Sequence, residues 1–220
     1  MHGLPRILFI GLPLNLLLPT SAVTVTGDDS SKPRIPIDRP MIVLGLAFAA
    51  SWMVVTAMAV HLPRLLEAAG ASTVQAVAAG ALIGPSQVEA RIFEAGLMQR
   101  FHPMASARLS VALHPIGAAV LWLFGAAAAS APFTILHGAG SGILTIARGT
   151  VPLAIFGPAN YGYRLGLLGA PSRVATAAAP LLFGLLIDNY GAGALVFSSA
   201  LSIAALAGLC TLRISTANSK

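Results

Sequence analysis

Charged residues are scarce in this chain. Only 9% of its 220 residues are Asp, Glu, Lys or Arg, and 56% are hydrophobic, whereas soluble domains carry about 25% charged residues. So few charges cannot build a water-facing surface, and the composition therefore argues against a soluble domain. The mean hydropathy of +0.83 and the long apolar runs favour a protein embedded in a lipid bilayer.

Other signals are also missing from the sequence. Cys210 is the single cysteine, so an intrachain disulfide is excluded and the compartment cannot be inferred from thiols. The formal net charge of +6 does not indicate nucleic-acid binding, because the basic residues are dispersed between apolar runs. Histidine pairs at metal-ligand spacing and histidine–acid clusters are not present in the sequence. We expect neither a metal site, nor a cofactor, nor a nucleic-acid partner.

Long apolar runs dominate what remains. A hydrocarbon core of about 30 Å requires roughly 20 helical residues, and six runs near this length follow position 40: 41–62, 73–93, 107–124, 132–147, 167–187 and 192–212. Backbone groups in lipid must pair internally, and strand-like alternation is missing, so each run is predicted to be a helix. The Gly- and Pro-containing stretch 149–166 is predicted to be an interfacial loop, with Tyr161 and Tyr163 at headgroup depth.

The positions of the basic residues provide a test of this topology. If the stretch before the first helix is cytoplasmic, eleven Lys and Arg residues fall on the cytoplasmic side and only Arg64 on the other. Short cytoplasmic loops carry such an excess of basic residues. We predict a six-helix transmembrane domain at 41–213 with both of its ends in the cytoplasm, followed by a cytoplasmic tail at 214–220.

The first 40 residues allow two interpretations. The apolar run 7–18, preceded by Arg6 and followed by small residues, is typical of a secretory signal, but cleavage there would move the basic residues of 32–39 to the opposite side. The charge distribution favours the alternative, in which 7–18 is the remnant of a preceding helix and the rest of 1–40 is a cytoplasmic linker.

Short motifs in the predicted helices carry a family resemblance. The fifth and sixth runs contain Ala179-Pro180, Gly184, Asp188, Gly191 and Phe197, and this G-x-x-x-D-x-x-G pattern resembles the end of the fifth helix in each half of major facilitator superfamily transporters. Similar patterns are Gly84-Pro85-Ser86-Gln87-Val88 with Arg91, and Gly138-Ala139-Gly140-Ser141-Gly142 leading to Arg148-Gly149-Thr150.

This resemblance implies the carboxyl-terminal six-helix half of a bacterial member, which is an all-α membrane fold of two inverted three-helix repeats in the cytoplasmic (inner) membrane. The implied function is secondary active transport of a small organic solute by alternating access, not an enzymatic activity. Members of the family have about twelve spans, so a missing amino-terminal half or a homodimer partner would complete the assembly. Two alternatives stay open: a truncated fragment or subunit without transport of its own, and an intramembrane enzyme. Against the enzyme, Ala139 occupies a glycine position of the rhomboid-type G-x-S-G motif around Ser141.

The resemblance also places the first, second, fourth and fifth helices along the substrate path. The candidate substrate-lining or coupling residues on these helices are Trp52, Thr56, Gln87, Glu89, Arg91, His137 and Arg148. A carboxylate on one helix and a guanidinium on the next would form a gate that exchanges partners as the halves rock, and Glu89 is the expected proton-coupling residue. The alternatives are residues that only reach the headgroups and, for Trp52 and Thr56, simple packing.

Two further groups of residues have expected roles. The predicted helix-packing and hinge residues are Gly138, Gly140, Gly142, Gly184, Asp188 and Gly191, because small residues let helices approach closely and repeated glycine lets a helix bend. His137 is expected to bind substrate or accept a proton. Solvated or packed roles are expected for His61, His102 and His114.

Overall fold

The computed structural model describes residues 35–96 and 100–212, and within these ranges the chain is helical without a β-strand. The elements in chain order are α1 (Arg39–Ala68), α2 (Thr73–Gly80), α3 (Ile83–Gly96), α4 (Pro103–Phe124), α5 (Ala126–Phe156), α6 (Tyr161–Tyr190), a 3₁₀ turn (Gly191–Gly193) and α7 (Ala194–Thr211). The prediction of an all-helical protein is confirmed for this part of the chain. The two interpretations of 7–18 and the tail at 214–220 lie outside the described residues.

Four helical segments are long and apolar enough to cross a membrane: Arg39–Ala68, Pro103–Phe124, Ala126–Phe156 and Tyr161–Thr211. The last one includes α6, the 3₁₀ turn and α7. The predicted second span is divided into α2, with 8 residues, and α3, with 14, each shorter than the roughly 20 residues of a typical span. The coarse prediction of a membrane-embedded helical protein therefore agrees with the structure, whereas the number of six spans stays a prediction.

The division between α2 and α3 has a local cause. Pro85 has no N–H group to donate to the carbonyl of Ala81, and glycines at 80 and 84 flank the interruption. The start of α2 is fixed by a capping box, in which Ser72 Oγ accepts from the Gln75 N–H at 3.3 Å and Gln75 Oε1 accepts from the Ser72 N–H at 2.9 Å.

The predicted interfacial loop at 149–166 is wrong for most of its length. The helix α5 continues to Phe156 with Pro152 inside it, and only 157–160 separates it from α6. A proline in a packed membrane helix removes one hydrogen bond and kinks the helix without ending it. In addition, the Tyr161 hydroxyl donates to the Gly149 carbonyl at 2.9 Å, which ties the start of α6 to α5. The helix ends where Gly157 has a φ of 70°, which an L side chain rarely adopts.

Contacts between the helices define their directions. Along α6, Pro171 lies against Gly45 of α1, and the carbonyl of Pro180 accepts a hydrogen bond from His61 of α1, so α1 and α6 run parallel. Gly208 of α7 faces Val43, so α7 runs antiparallel to α1. The chain reverses at the 3₁₀ turn between α6 and α7. Arg108 of α4 closes the far end of α7 by donating to the carbonyls of Leu209 and Leu212, both at 3.1 Å.

Two apolar clusters form the interior, one toward each end of the helices. One packs Val54, Leu62, Phe133, Phe183 and Leu195, among others, and the other packs Leu44, Phe48, Leu144, Ala147 and Leu209, among others. Buried polar side chains lie between these clusters along α1, α4, α5 and α7, and we call this set the polar layer: Ser51, Ser110, His114, His137, Ser141, Ser198 and Ser202. The polar layer therefore crosses the middle of the helices, where buried polar groups need partners.

Candidate functional site

Two histidines meet at the centre of the polar layer. The Nδ1 atoms of His114 on α4 and His137 on α5 are 3.0 Å apart, and His114 Nε2 lies 2.9 Å from Ser198 Oγ on α7. Both rings are 4% exposed, and Phe133 packs against them. The three polar residues thus join three helices through side-chain hydrogen bonds.

The hydrogen-bond partners define the tautomers of a neutral histidine pair. The Ser198 hydroxyl donates to the Leu195 carbonyl at 3.0 Å, so Ser198 Oγ accepts from His114 Nε2–H. The Nδ1 atom of a neutral His114 is then an acceptor, and His137 Nδ1–H donates to it. Each proton shared along this row of hydrogen bonds, from His137 through His114 and Ser198, has an acceptor inside the protein. The arrangement satisfies the groups that it buries and does not depend on a ligand.

A small cavity adjoins the histidine pair. It measures about 20 Å³ and is lined by Ser51, Ser110, His114, His137, Ser141 and Ser202, together with apolar residues of α1, α4 and α5. A single water molecule needs about 10–15 Å³ of such space. The cavity has room for a water molecule and not for an organic solute, so the structure gives His137 no access to a substrate.

A second polar region lies on α3 and α5. Gln87 Nε2 donates to Ser141 Oγ at 3.1 Å, and one turn further Arg91 Nη2 lies 3.5 Å from Thr145 Oγ1. Ser141 is the central residue of α5 (Ala126–Phe156). Ser141, Thr145 and Arg148 follow the spacing i, i+4, i+7, which places them on one side of α5.

The guanidinium of Arg148 extends this region to α1 and α6. Its Cζ atom lies 5.7 Å from the centre of the Trp52 ring, a cation–π arrangement. Its Nη2 atom lies 3.3 Å from the position that a Cβ atom would occupy at Gly169 of α6. Trp52 is within two residues of the midpoint of α1, so Arg148 reaches the middle of the helices. The Trp52 Nε1 atom is buried and has no acceptor among the described residues.

Arg173 was not predicted as a site residue. It is exposed on α6, four residues after Gly169, so it shares the side of α6 that Arg148 approaches. The contacts of Pro171 and Pro180 with α1 place it between the levels of Gly45 and His61. The charge pattern counted Arg173 among the cytoplasmic basic residues although it lies within the predicted fifth run, 167–187, and the structure places it inside α6 (Tyr161–Tyr190). We call Trp52, Gln87, Arg91, Thr145, Arg148 and Arg173 together the polar face.

The predicted pairing of Glu89 with a guanidinium is not formed. Glu89 is exposed on α3, and two residues of helix turn it about 200° away from Gln87, so it lies off the polar face. Glu94, further along α3, is 5% exposed, and its Oε2 atom has no hydrogen-bond partner among the described residues. Thr56 is half-buried on α1, and no side-chain hydrogen bond is formed by Thr56 within the described ranges.

The glycines of α5 allow close contact with two neighbouring helices. A Cβ atom at Gly138 would lie 2.9 Å from Ser86 Cβ, and one at Gly142 would lie 2.5 Å from the Gln87 carbonyl oxygen, both on α3. A Cβ atom at Gly140 would lie 2.5 Å from the Ser110 carbonyl oxygen on α4. Real Cβ atoms do not approach so closely, so α5 touches α3 and α4 through backbone surfaces. Bending at these glycines stays a prediction.

The residues of the G-x-x-x-D-x-x-G pattern connect α6 with α1. Gly184 lies against the His61 ring, Asp188 forms an ion pair with Arg64, and Gly191, with a φ of 54°, ends α6 opposite Ala68. A role in holding these two parallel helices together follows from these contacts.

Within 35–96 and 100–212, a group of three or more His, Cys, Asp or Glu side chains able to hold a metal ion is not found. Comparison with protein-family models and with curated protein sequences gives no match for this chain.

Proposed function

We propose that this chain is the carboxyl-terminal half of a secondary transporter, which moves a small organic solute across the bacterial cytoplasmic membrane by alternating access. In this proposal α2 and α3 together make one kinked span, so that the chain has six spans in two inverted three-helix repeats. A second half, from another chain or from a second copy of this chain, completes a twelve-helix unit. The resemblance to the major facilitator superfamily in the motifs around Gly84, Gly138 and Gly184 supports this arrangement.

The polar face is the observation that carries the proposal. Arg91 and Arg173 are exposed, and Arg148 is half-buried, yet Arg148 and Arg173 belong to helices long and apolar enough to cross a membrane. A charged side chain at the centre of a bilayer costs about 3 kcal/mol or more unless it is paired or hydrated. Lipid is therefore an unfavourable neighbour for this face. A water-filled path between two halves removes the cost, and such a path is what alternating access requires.

Reconstitution tests the transport activity directly. The purified chain is placed in lipid vesicles, alone or with a separately expressed amino-terminal half, and uptake of a labelled panel of anionic, neutral and cationic solutes is followed with and without a proton gradient. We expect saturable uptake of at least one solute in the completed assembly. Vesicles that contain the assembly but take up no solute of the panel above the protein-free level would contradict the proposal.

Glu89 remains the proposed residue for proton coupling. In α3 it is the exposed carboxylate, whereas Glu94 is buried. Glu89→Gln should abolish gradient-driven uptake and leave counterflow exchange of the solute intact, because exchange needs no net proton movement. Gln75→Glu, which adds a carboxylate at the start of α2, is the control for general charge effects. Unchanged gradient-driven uptake in Glu89→Gln would remove this residue from coupling.

The orientation has its own test. The turn between α5 and α6 is proposed to be cytoplasmic, since Arg148 and Arg164 lie toward that end. A cysteine at Pro158, in a Cys210→Ala background, should resist a membrane-impermeant thiol reagent in whole cells and react after the cells are opened. Labelling in intact cells would reverse the assignment.

A further inference from the structure

The three arginines of the polar face have no acidic partner among the described residues. Arg91, Arg148 and Arg173 come from three different helices, and in the described ranges the ion pair formed is that of Arg64 with Asp188, which is not on this face. The Trp52 Nε1–H is a further donor without an acceptor there. Guanidinium and indole N–H groups donate and do not accept. Whatever binds here must therefore supply acceptors and negative charge.

Arg148 reaches the side of α6 on which Arg173 lies. The Nη2 atom of Arg148 lies against Gly169, and Arg173 is one turn further along the same side of α6. Side chains of an α-helix lean toward its N-terminus, which directs Arg173 back toward Gly169. Two like charges on the same side of a helix repel each other. An anion between them turns this repulsion into attraction.

Local structure prepares Arg148 for such a ligand. The Trp52 ring supports the planar guanidinium at 5.7 Å, and Gly169 leaves room for it because it has no side chain. Stacking on an aromatic ring restricts the guanidinium to one plane while its N–H groups at the edge stay free. Guanidinium N–H groups bind the paired oxygens of a carboxylate or phosphate in this way.

We propose that the polar face binds the carboxylate or phosphate group of an organic anion, through Arg148 and Arg173 with Arg91 beside them, and that the transported solute is therefore an organic anion. The identity of the transported solute rests on the transport function proposed above. Anion binding at the polar face does not, since it requires only the chain itself.

Trp52 provides a direct measurement of binding. The chain contains two tryptophans, so the full-length Trp122→Phe variant in detergent reports on Trp52 alone. Succinate, glycerol 3-phosphate and inorganic phosphate are titrated at constant ionic strength, with choline and glucose as cationic and neutral probes. We expect a saturable change in Trp52 emission with at least one anion and with neither control probe.

Variants identify the residues that bind. Arg148→Gln and Arg173→Gln should each weaken the anion response about tenfold or more, since a hydrogen bond to a charged group contributes that much. Arg173→Lys should retain part of the affinity. Arg39→Gln removes an equal charge from the exposed start of α1 and should leave the response unchanged. An absent anion response, or equal affinity in Arg173→Gln and Arg39→Gln, would overturn the proposal.

A lipid headgroup carries the same phosphate chemistry as a soluble phosphate ester, so a separate experiment tests whether the bound anion is a solute or a lipid. The titration is repeated in nanodiscs of phosphatidylcholine and of phosphatidylglycerol. Binding of soluble anions in phosphatidylcholine supports a solute site. A change in Trp52 emission caused by phosphatidylglycerol, without any response to soluble anions, assigns the polar face to lipid and overturns the proposed solute site.

Transport and anion binding can fail separately. Uptake of neutral or cationic solutes alone would refute the proposal that the transported solute is an anion, and the transport function would still hold. Anion binding without flux in the completed assembly would refute transport and leave the binding site standing.

Discussion

The polar layer and the polar face both lie near the middle of the helices, but their groups are satisfied in opposite ways. In the polar layer, His114 and His137 are 4% exposed and every proton of the histidine–serine chain has an acceptor in the protein. In the polar face, Arg173 is exposed and Trp52 Nε1 has no acceptor among the described residues. Polarity inside a membrane helix thus has two uses here. One set holds helices together, and the other is the set proposed to bind an anion.

The largest expected effect comes from the glycines that bring the helices of both regions together. Gly140→Leu forces a side chain into the Ser110 carbonyl of α4, and overpacking of this kind costs about 1–3 kcal/mol or more. We expect most of the variant to aggregate on size-exclusion chromatography. Gly166→Leu is the matched control, because nothing lies within 4 Å of a Cβ atom at that position. A monodisperse, folded Gly140→Leu variant would show that α4 and α5 can separate freely.

The next largest effect is expected in the polar layer, where a substitution should lower the free energy of unfolding. His114→Ala leaves Ser198 and His137 without their partner and opens a cavity, so the free energy of unfolding should fall by about 2 kcal/mol or more. Unfolding in mixed micelles, titrated with sodium dodecyl sulfate, measures this change. His102→Asn keeps a side chain able to cap α4 and serves as the control. If His114→Ala unfolds at the wild-type midpoint, the polar layer is not a structural unit.

The exposed ion pair of Arg64 with Asp188 should have an effect on stability between those of the polar layer and the polar face. Its side chains are 51% and 54% exposed. Solvent screens such pairs, so Asp188→Asn should lower the free energy of unfolding by about 0–1 kcal/mol. The same micelle titration gives this value. A loss above that of His114→Ala would mean that this end of α1 and α6, and not the polar layer, determines the stability.

The smallest expected change in stability belongs to the polar face. Arg173→Gln removes an exposed charge without a partner in the described ranges, so the free energy of unfolding should change by less than about 0.5 kcal/mol, even though anion binding is expected to fall. Circular dichroism in detergent should superimpose on that of the wild type. A strong destabilisation would place Arg173 with the structural residues and remove the contrast between the two regions.

Much of the fold could be predicted from hydropathy, and the failures have physical causes. The helical ends at Phe124 and Thr211 lie close to the predicted ends at 124 and 212 because apolar runs stop there. The continuation of α5 through Pro152 was missed, since proline and glycine suggest a loop when tertiary contacts cannot be seen. For α2 and α3 the error was opposite: the apolar run hid a break that Pro85 causes.

The candidate residues were predictable only one by one. Charge and depth selected Trp52, Arg91 and Arg148, which the structure brings onto one face. The same criteria could not find that His114 pairs with His137, because a sequence separation of 23 gives no hint that α4 and α5 bring these rings together. A histidine within an apolar run, directly before Pro115, was the available signal. The absence of Glu89 from the polar face was predictable from the sequence. At 100° per residue, positions 87 and 91 share one side of a helix and position 89 lies on the other side.

The backbone contacts of α5 also restrict how the protein can move. With Gly138 and Gly142 against one neighbour and Gly140 against another, the first two-thirds of α5 cannot roll about its axis without carrying α3 and α4 along. Those three helices must travel as one block. The last turn of α5, between Pro152 and Gly157, lies beyond these contacts, so a change in its angle would leave the block undisturbed.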